Sequence, residues 1–167
     1  MKTYDKICET LCRILMAFCA VLALICLISS FLQVFSRYIL GSSFTWTDEC
    51  SRYCYIWLDL LGSAVLVYRG GHAAVDLFSK KIGGVSKKIY DTLVYLFLGY
   101  VGVIFAVFGY KLSTVTFAQT SPALKLSMGL VYGVLPVSGV LIGFFVINRI
   151  LNVWLIAKET EEGGTAG

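Results

Sequence analysis

Ionisable side chains recur along one face of an otherwise apolar segment, residues 48–67. At about 100° of rotation per residue, Glu49, Arg52, Asp59 and Ser63 share that face of a helix. Charged groups on an apolar helix either line an ion pathway or pair with one another when helices pack. This segment therefore carries the clearest candidate chemistry of the chain.

Asp59 is the most costly of these groups. It follows Asp48 by eleven residues, roughly 16 Å at about 1.5 Å per residue, which places it near the middle of a bilayer. A charge at that depth costs at least about 2.5–3.5 kcal/mol, so Asp59 must be protonated, paired or hydrated. Arg52 lies two turns away on the same face, too far for direct contact, so a partner from another helix or another chain is more plausible. Two interpretations stay open: an ion pathway, or a structural hydrogen bond to Ser29 or Ser30.

Other reactive groups are few. His72 is the single histidine, and no histidine and cysteine cluster has zinc-ligand spacing. The chain has no glycine-rich phosphate loop before a helix and no serine with a nearby histidine base. We interpret the six cysteines as small apolar groups, with metal or redox chemistry as the alternative. We therefore expect no catalytic residue, metal or cofactor in this chain, and no enzyme.

Composition identifies the environment. Of the 167 residues, 58% are hydrophobic and only 14% are charged, against about 25% charged in ordinary soluble proteins. One soluble core of this size could not hide so much apolar surface, whereas lipid accepts it directly. The net charge of +4 is too small to indicate a nucleic-acid partner.

The apolar segments predict one all-α membrane domain over residues 1–158. A bilayer span needs about 20 mainly apolar residues. The four qualifying segments are 14–36, 48–67, 91–113 and 128–150. Residues 159–167 are predicted to form a flexible cytoplasmic tail.

Basic residues predict the orientation. Ten lysines and arginines lie in the N-terminal tail, the loop after the second segment and the C-terminal flank, against three in the other two loops. Because cytoplasmic loops are enriched in these residues, both termini should lie inside. In the middle loop, Val75, Phe78 and Ile82 share one face over residues 73–82. This spacing predicts a short amphipathic helix on the inner leaflet, an ordinary positive loop being the alternative.

Small residues form stripes on the last two segments. In the fourth segment, Gly139 and Gly143 belong to a row that contains two GxxxG spacings. Such rows allow helix backbones to approach closely where lipid gives no hydrophobic drive to association. The stripes predict protein-facing sides, although glycine is also common in membrane helices generally.

From residue 44 onward, aromatic, acidic, basic and small residues follow one another in a particular order. The residues concerned are Phe44, Trp46, Glu49, Arg52, Trp57, Gly62, Arg69, His72, Val75, Asp76, Ser121, Pro122, Ala123, Leu124, Tyr132, Pro136 and Gly139. This order resembles the small membrane subunit of tripartite ATP-independent periplasmic (TRAP) transporters. Asp59 is not part of the shared pattern.

The resemblance implies a secondary transport system of the bacterial inner membrane. In that system a periplasmic binding protein captures an organic acid, and a large membrane subunit imports it with sodium. The small subunit would be a lipid-embedded scaffold with no substrate, sodium or cofactor site of its own. Its candidate interface or structural residues are Trp46, Glu49, Arg52, Asp59, Arg69, His72, Asp76, Gly139 and Gly143.

Two other functions remain to be compared. A stand-alone homodimeric transporter would use Asp59 to line a substrate chamber. A thiol–quinone redox protein would need cysteines in the outer loops, and residues 38–47 and 114–127 contain none. The sequence therefore favours the accessory subunit.

Overall fold

Helices account for nearly all of the backbone that a computed structural model of the chain describes, residues 2–39, 41, 44–69 and 85–163. The helices are α1 (Lys2–Ile39), α2 (Thr45–Arg69), α3 (Val85–Thr116), α4 (Met128–Tyr132) and α5 (Val134–Gly163). Within these ranges, the only strand-like pairing is an isolated antiparallel bridge between Thr120 and Ser127. The predicted amphipathic helix, 73–82, lies outside the described residues.

Among the described residues, three stretches are long and apolar enough to cross a membrane: Lys6–Ile39, Tyr90–Thr116 and Met128–Leu151. They confirm the prediction of an all-helical membrane protein. The predicted second span, 48–67, lies within α2, whose 25 residues extend about 37 Å. That α2 also crosses the membrane remains a prediction, as does the orientation. The backbone of α5 stays helical to Gly163, into the segment predicted as a tail.

A proline explains why α4 and α5 are separate helices. Pro136 lacks the N–H that would bond the carbonyl of Tyr132, so the helical ladder is interrupted at Gly133. Val137 N–H then bonds the Gly133 carbonyl at 3.5 Å and the helix continues. The last span is thus a helix with one break.

The helices pack in a definite order. α2 lies between α1 and α5, and α5 also packs along α3. A buried cluster joins α1, α2 and α5 and includes Cys8, Cys12, Ala64, Val67 and Phe145. Because α2 and α5 are central, their positions fix those of the outer pair.

The outer helices expose apolar surface. On α1 this surface includes Leu24, Leu27 and Phe31, and on α3 it includes Phe97 and Tyr100. Long apolar side chains of this kind can face lipid without an energetic penalty. α1 and α3 therefore present faces suited to acyl chains.

Candidate functional site

Glu49 joins the start of α2 to the loop between α3 and α4. Its carboxylate accepts hydrogen bonds from Ser121 Oγ at 2.8 Å and from the backbone N–H groups of Ala123 and Leu124 at 3.2 and 3.0 Å. Glu49 is 8% exposed and Ser121 is 2% exposed. Such charge-assisted bonds are stronger than neutral ones. We call this contact the Glu49 lock.

The loop has the local structure that such a carboxylate needs. Ser121 and Lys125 close one turn through a 3.2 Å backbone bond, and Lys125 adopts a left-handed φ of 52°. Pro122 fits at the start of the turn because its missing N–H is not needed there. The next two N–H groups, of Ala123 and Leu124, are left free to converge on the carboxylate.

Asp48 and Arg52 form a second polar group beside the lock. Arg52 donates to Asp48 Oδ2 at 2.7 Å, and Gln33 Nε2 of α1 donates to Asp48 Oδ1 at 3.1 Å. The Arg52 and Asp48 side chains are 62% and 47% exposed, so this ion pair is accessible to solvent. With the lock, these residues line an open cleft of about 620 Å³ that also includes Arg37.

Asp59 lies on an exposed face of α2. The structural interpretation paired it with Ser29 or Ser30, but Ser29 Oγ donates to Cys50 Sγ at 3.5 Å instead. Among the described residues, no hydrogen bond or ion pair involves Asp59. The expected hydrogen bond is thus not formed, because α1 contacts α2 through other residues, including Phe18 with Trp57 and Ser29 with Cys50.

The two candidate glycines differ sharply in their surroundings. A Cβ added to Gly139 would lie 2.5 Å from both Ala106 N and Gly102 O of α3. A Cβ added to Gly143, one turn later, would meet nothing within 4 Å. Gly139 is thus required by the α3–α5 contact, while Gly143 lines an apolar groove of about 800 Å³ between the same helices.

Comparison with known proteins supplies the deciding observation. The family model of the DctQ component of tripartite ATP-independent periplasmic transporters matches residues 25–155. The chain belongs to this family. A protein of Haemophilus influenzae that is named as a TRAP transporter small permease is 27% identical over 151 residues, covering 89% of this chain and 88% of that protein.

Membership in the DctQ family places the chain among transporter components of the bacterial inner membrane, and it implies a tripartite complex with a large membrane subunit and a binding protein. The matched range contains α2, the lock and both glycines. It begins inside α1, so Cys8 and Cys12 lie outside the match.

Two of the other predicted residues, Trp46 and Arg69, lie at opposite ends of α2. Trp46 is 44% exposed and packs near Phe44, with ring centroids 6.5 Å apart. Arg69 is exposed at the last residue of α2. His72 and Asp76 lie outside the described residues. The structure therefore does not bring the whole candidate set together at one site.

Two features of the DctQ-family chain bear on the predicted chemistry. All six cysteines are free thiols, and Cys26 Sγ donates to the Ser51 carbonyl at 3.5 Å. In the part of the chain that the structure describes, no three histidine, cysteine or acidic residues are grouped to hold a metal.

Sequence reasoning identified Glu49 but not its partners. In the sequence, Ser121, Ala123 and Leu124 stand out only as part of the family pattern, and two of them act through backbone N–H groups. A serine followed by proline is a signal for the start of a helical turn. That signal could have pointed to an acceptor, but not to Glu49.

Proposed function

We propose that this chain is the scaffold subunit of a TRAP transporter that imports an organic acid together with sodium. In this proposal the large subunit carries the substrate and sodium sites. The small subunit holds that partner in the membrane and has no cofactor of its own.

The observation that supports a scaffold is the Glu49 lock. Three hydrogen bonds to one carboxylate join residue 49 to residues 121–124 at one end of the bundle. A moving gate would have to break these bonds, each worth about 1.5–3 kcal/mol when one partner is charged. The lock instead suits a part that stays fixed while its partner moves.

Transport by reconstituted liposomes tests this role. The chain alone, under a sodium gradient, should take up no more substrate than empty vesicles. Adding the large subunit and a substrate-loaded binding protein should give sodium-dependent uptake, and omitting this chain should abolish it. Robust transport by the small chain alone would overturn the proposal and favour the homodimer that uses Asp59.

We further propose that both termini are cytoplasmic and that α2 spans the membrane. Packing of α2 between the two membrane-spanning helices α1 and α5 supports its crossing. In a cysteine-free background, a cysteine at position 43 should be labelled from outside and one at position 84 from inside. Labelling of position 84 from the periplasm alone would reverse the orientation.

A further inference from the structure

Five exposed residues of α2 lie on one narrow stripe. Beyond Thr47, the exposed residues of this helix are Arg52, Tyr55, Asp59, Leu66 and Arg69. At about 100° per residue, they fall within an arc of about 100°. We call this face the Asp59 stripe, and the remainder of α2 is at least partly covered by its neighbours.

Lipid is a poor occupant of this stripe. The exposed faces of α1 and α3 carry no charged side chain in the middle parts of their helices, whereas the stripe carries a carboxylate there. An ionised carboxylate in hydrocarbon loses its hydration and gains no partner in return. The difference between these faces indicates that the stripe is covered by protein.

Neither described cation on the same helix reaches Asp59. Arg52 is already bonded to Asp48, and it lies seven residues away, or about 10 Å along the axis. Arg69 lies ten residues away, about 15 Å towards the other end of α2. Since no described residue pairs with Asp59, another chain is the natural source of a compensating charge.

A second copy of this chain is a poor source of that charge. Two parallel helices related by a two-fold axis perpendicular to the membrane bring equivalent residues together. Asp59 would then face Asp59, and like charges at close range oppose each other's ionisation. A different protein with a basic side chain at this depth matches the stripe better.

Gly62 makes close approach possible. It lies about one turn from Asp59 beside the stripe, and a Cβ added there would meet nothing within 4 Å. The backbone is thus open on this side, which allows an incoming helix to come near the carboxylate. By contrast, Gly139 is already occupied by α3.

We propose that the Asp59 stripe is the docking face for a transmembrane helix of the large subunit, which places a lysine or arginine side chain against Asp59. This inference rests on the proposed function, because it takes the large subunit as the partner. It adds which face of this chain is covered and by what chemistry.

Photocrosslinking in the assembled complex tests the face. A photoreactive phenylalanine analogue at position 55 or 66 should crosslink to the large subunit. The same analogue at Leu27 of α1 or Tyr100 of α3, which are exposed on the faces suited to lipid, should not crosslink to the large subunit. Crosslinks from the stripe to a second copy, or from the controls alone, would overturn the inference.

Co-purification of the large subunit with a tagged small chain tests the proposed ion pair at Asp59. Asp59→Leu should lower recovery about tenfold or more, because it leaves a desolvated cation unpaired. Lys111→Leu, which removes an exposed charge away from the stripe, should leave recovery unchanged. The unfolding midpoint of Asp59→Leu alone in detergent should be no lower than that of wild type, which separates docking from folding.

The outcomes distinguish this inference from the proposed function. Full recovery with Asp59→Leu would show that no cation depends on Asp59 and would overturn the inference. If wild-type chain supports uptake but the stripe does not crosslink, the inference fails and the proposed function stands. If wild-type chain neither recovers the large subunit nor supports uptake, both fail.

Discussion

Two carboxylates on the same helix have opposite surroundings. Glu49 is 8% exposed and accepts three hydrogen bonds from its own chain, whereas Asp59 is exposed on the open face of α2. They are ten residues apart, or about 15 Å. The chain satisfies the acid where the loop between α3 and α4 folds back on α2, and within the described residues it leaves unpaired the acid on the open face of that helix.

The same contrast holds for two glycines of α5. Gly139 meets the backbone of α3, while Gly143 opens onto a groove. Residue type and helical spacing are alike at the two positions, yet only one is packed. The comparison therefore separates contacts completed inside the chain from surfaces left open.

The largest effect is expected at Gly139. Gly139→Leu should destabilise the isolated chain by about 3 kcal/mol or more, because its Cβ would overlap backbone atoms that no rotamer change can move. Thermal unfolding in detergent measures this loss. Gly143→Leu is the matched control and should unfold near the wild-type midpoint. Equal loss in both variants would remove the distinction between packed and open glycines.

The Glu49 lock should show the next largest effect. Glu49→Ala removes the acceptor of the buried Ser121 hydroxyl and of the part-buried N–H groups of residues 123 and 124, which costs about 1–3 kcal/mol per group that water does not reach. The unfolding midpoint of the isolated chain should fall accordingly. Asp48→Ala removes the neighbouring, exposed acid and should change the midpoint little. Equal midpoints for both variants would mean that the lock does not stabilise the bundle.

Unlike Glu49, Asp59 should not contribute to the stability of the isolated chain. Asp59→Asn should leave the midpoint of the isolated chain unchanged, because this side chain has no partner among the described residues. In the assembled transporter, sodium-driven uptake should remain within a few-fold of wild type, because an amide still accepts a hydrogen bond. Complete loss of coupling in an intact complex would instead assign Asp59 to an ion pathway.

Arg52 should give the smallest effect. Arg52 pairs with Asp48 one helical turn earlier, and both side chains are exposed. Such pairs contribute about 0.3–0.5 kcal/mol. Arg52→Ala should therefore shift the midpoint of the isolated chain only slightly. Raising the salt concentration should reduce even that difference, because exposed ion pairs are screened. A large, salt-independent loss would show that Arg52 is buried in the folded protein.

Composition and periodicity were enough to predict a membrane protein made of helices. Apolar segments of span length occur because lipid, unlike water, accepts outward-facing leucine and phenylalanine, and this requirement is visible residue by residue. The helical face shared by Glu49, Arg52 and Asp59 followed from rotation per residue alone. The family pattern also followed from sequence, since it depends on residue order.

Tertiary structure alone decided which of these residues has a partner. Glu49 contacts a loop 72 residues later in the chain. Two of its three donors are backbone N–H groups, which cannot be recognised from residue type. Gly139 and Gly143 differ because neighbouring backbone reaches one and not the other. Spacing defines a face of a helix, but the neighbour that covers that face is set by how helices pack, which depends on the whole chain and on its partners.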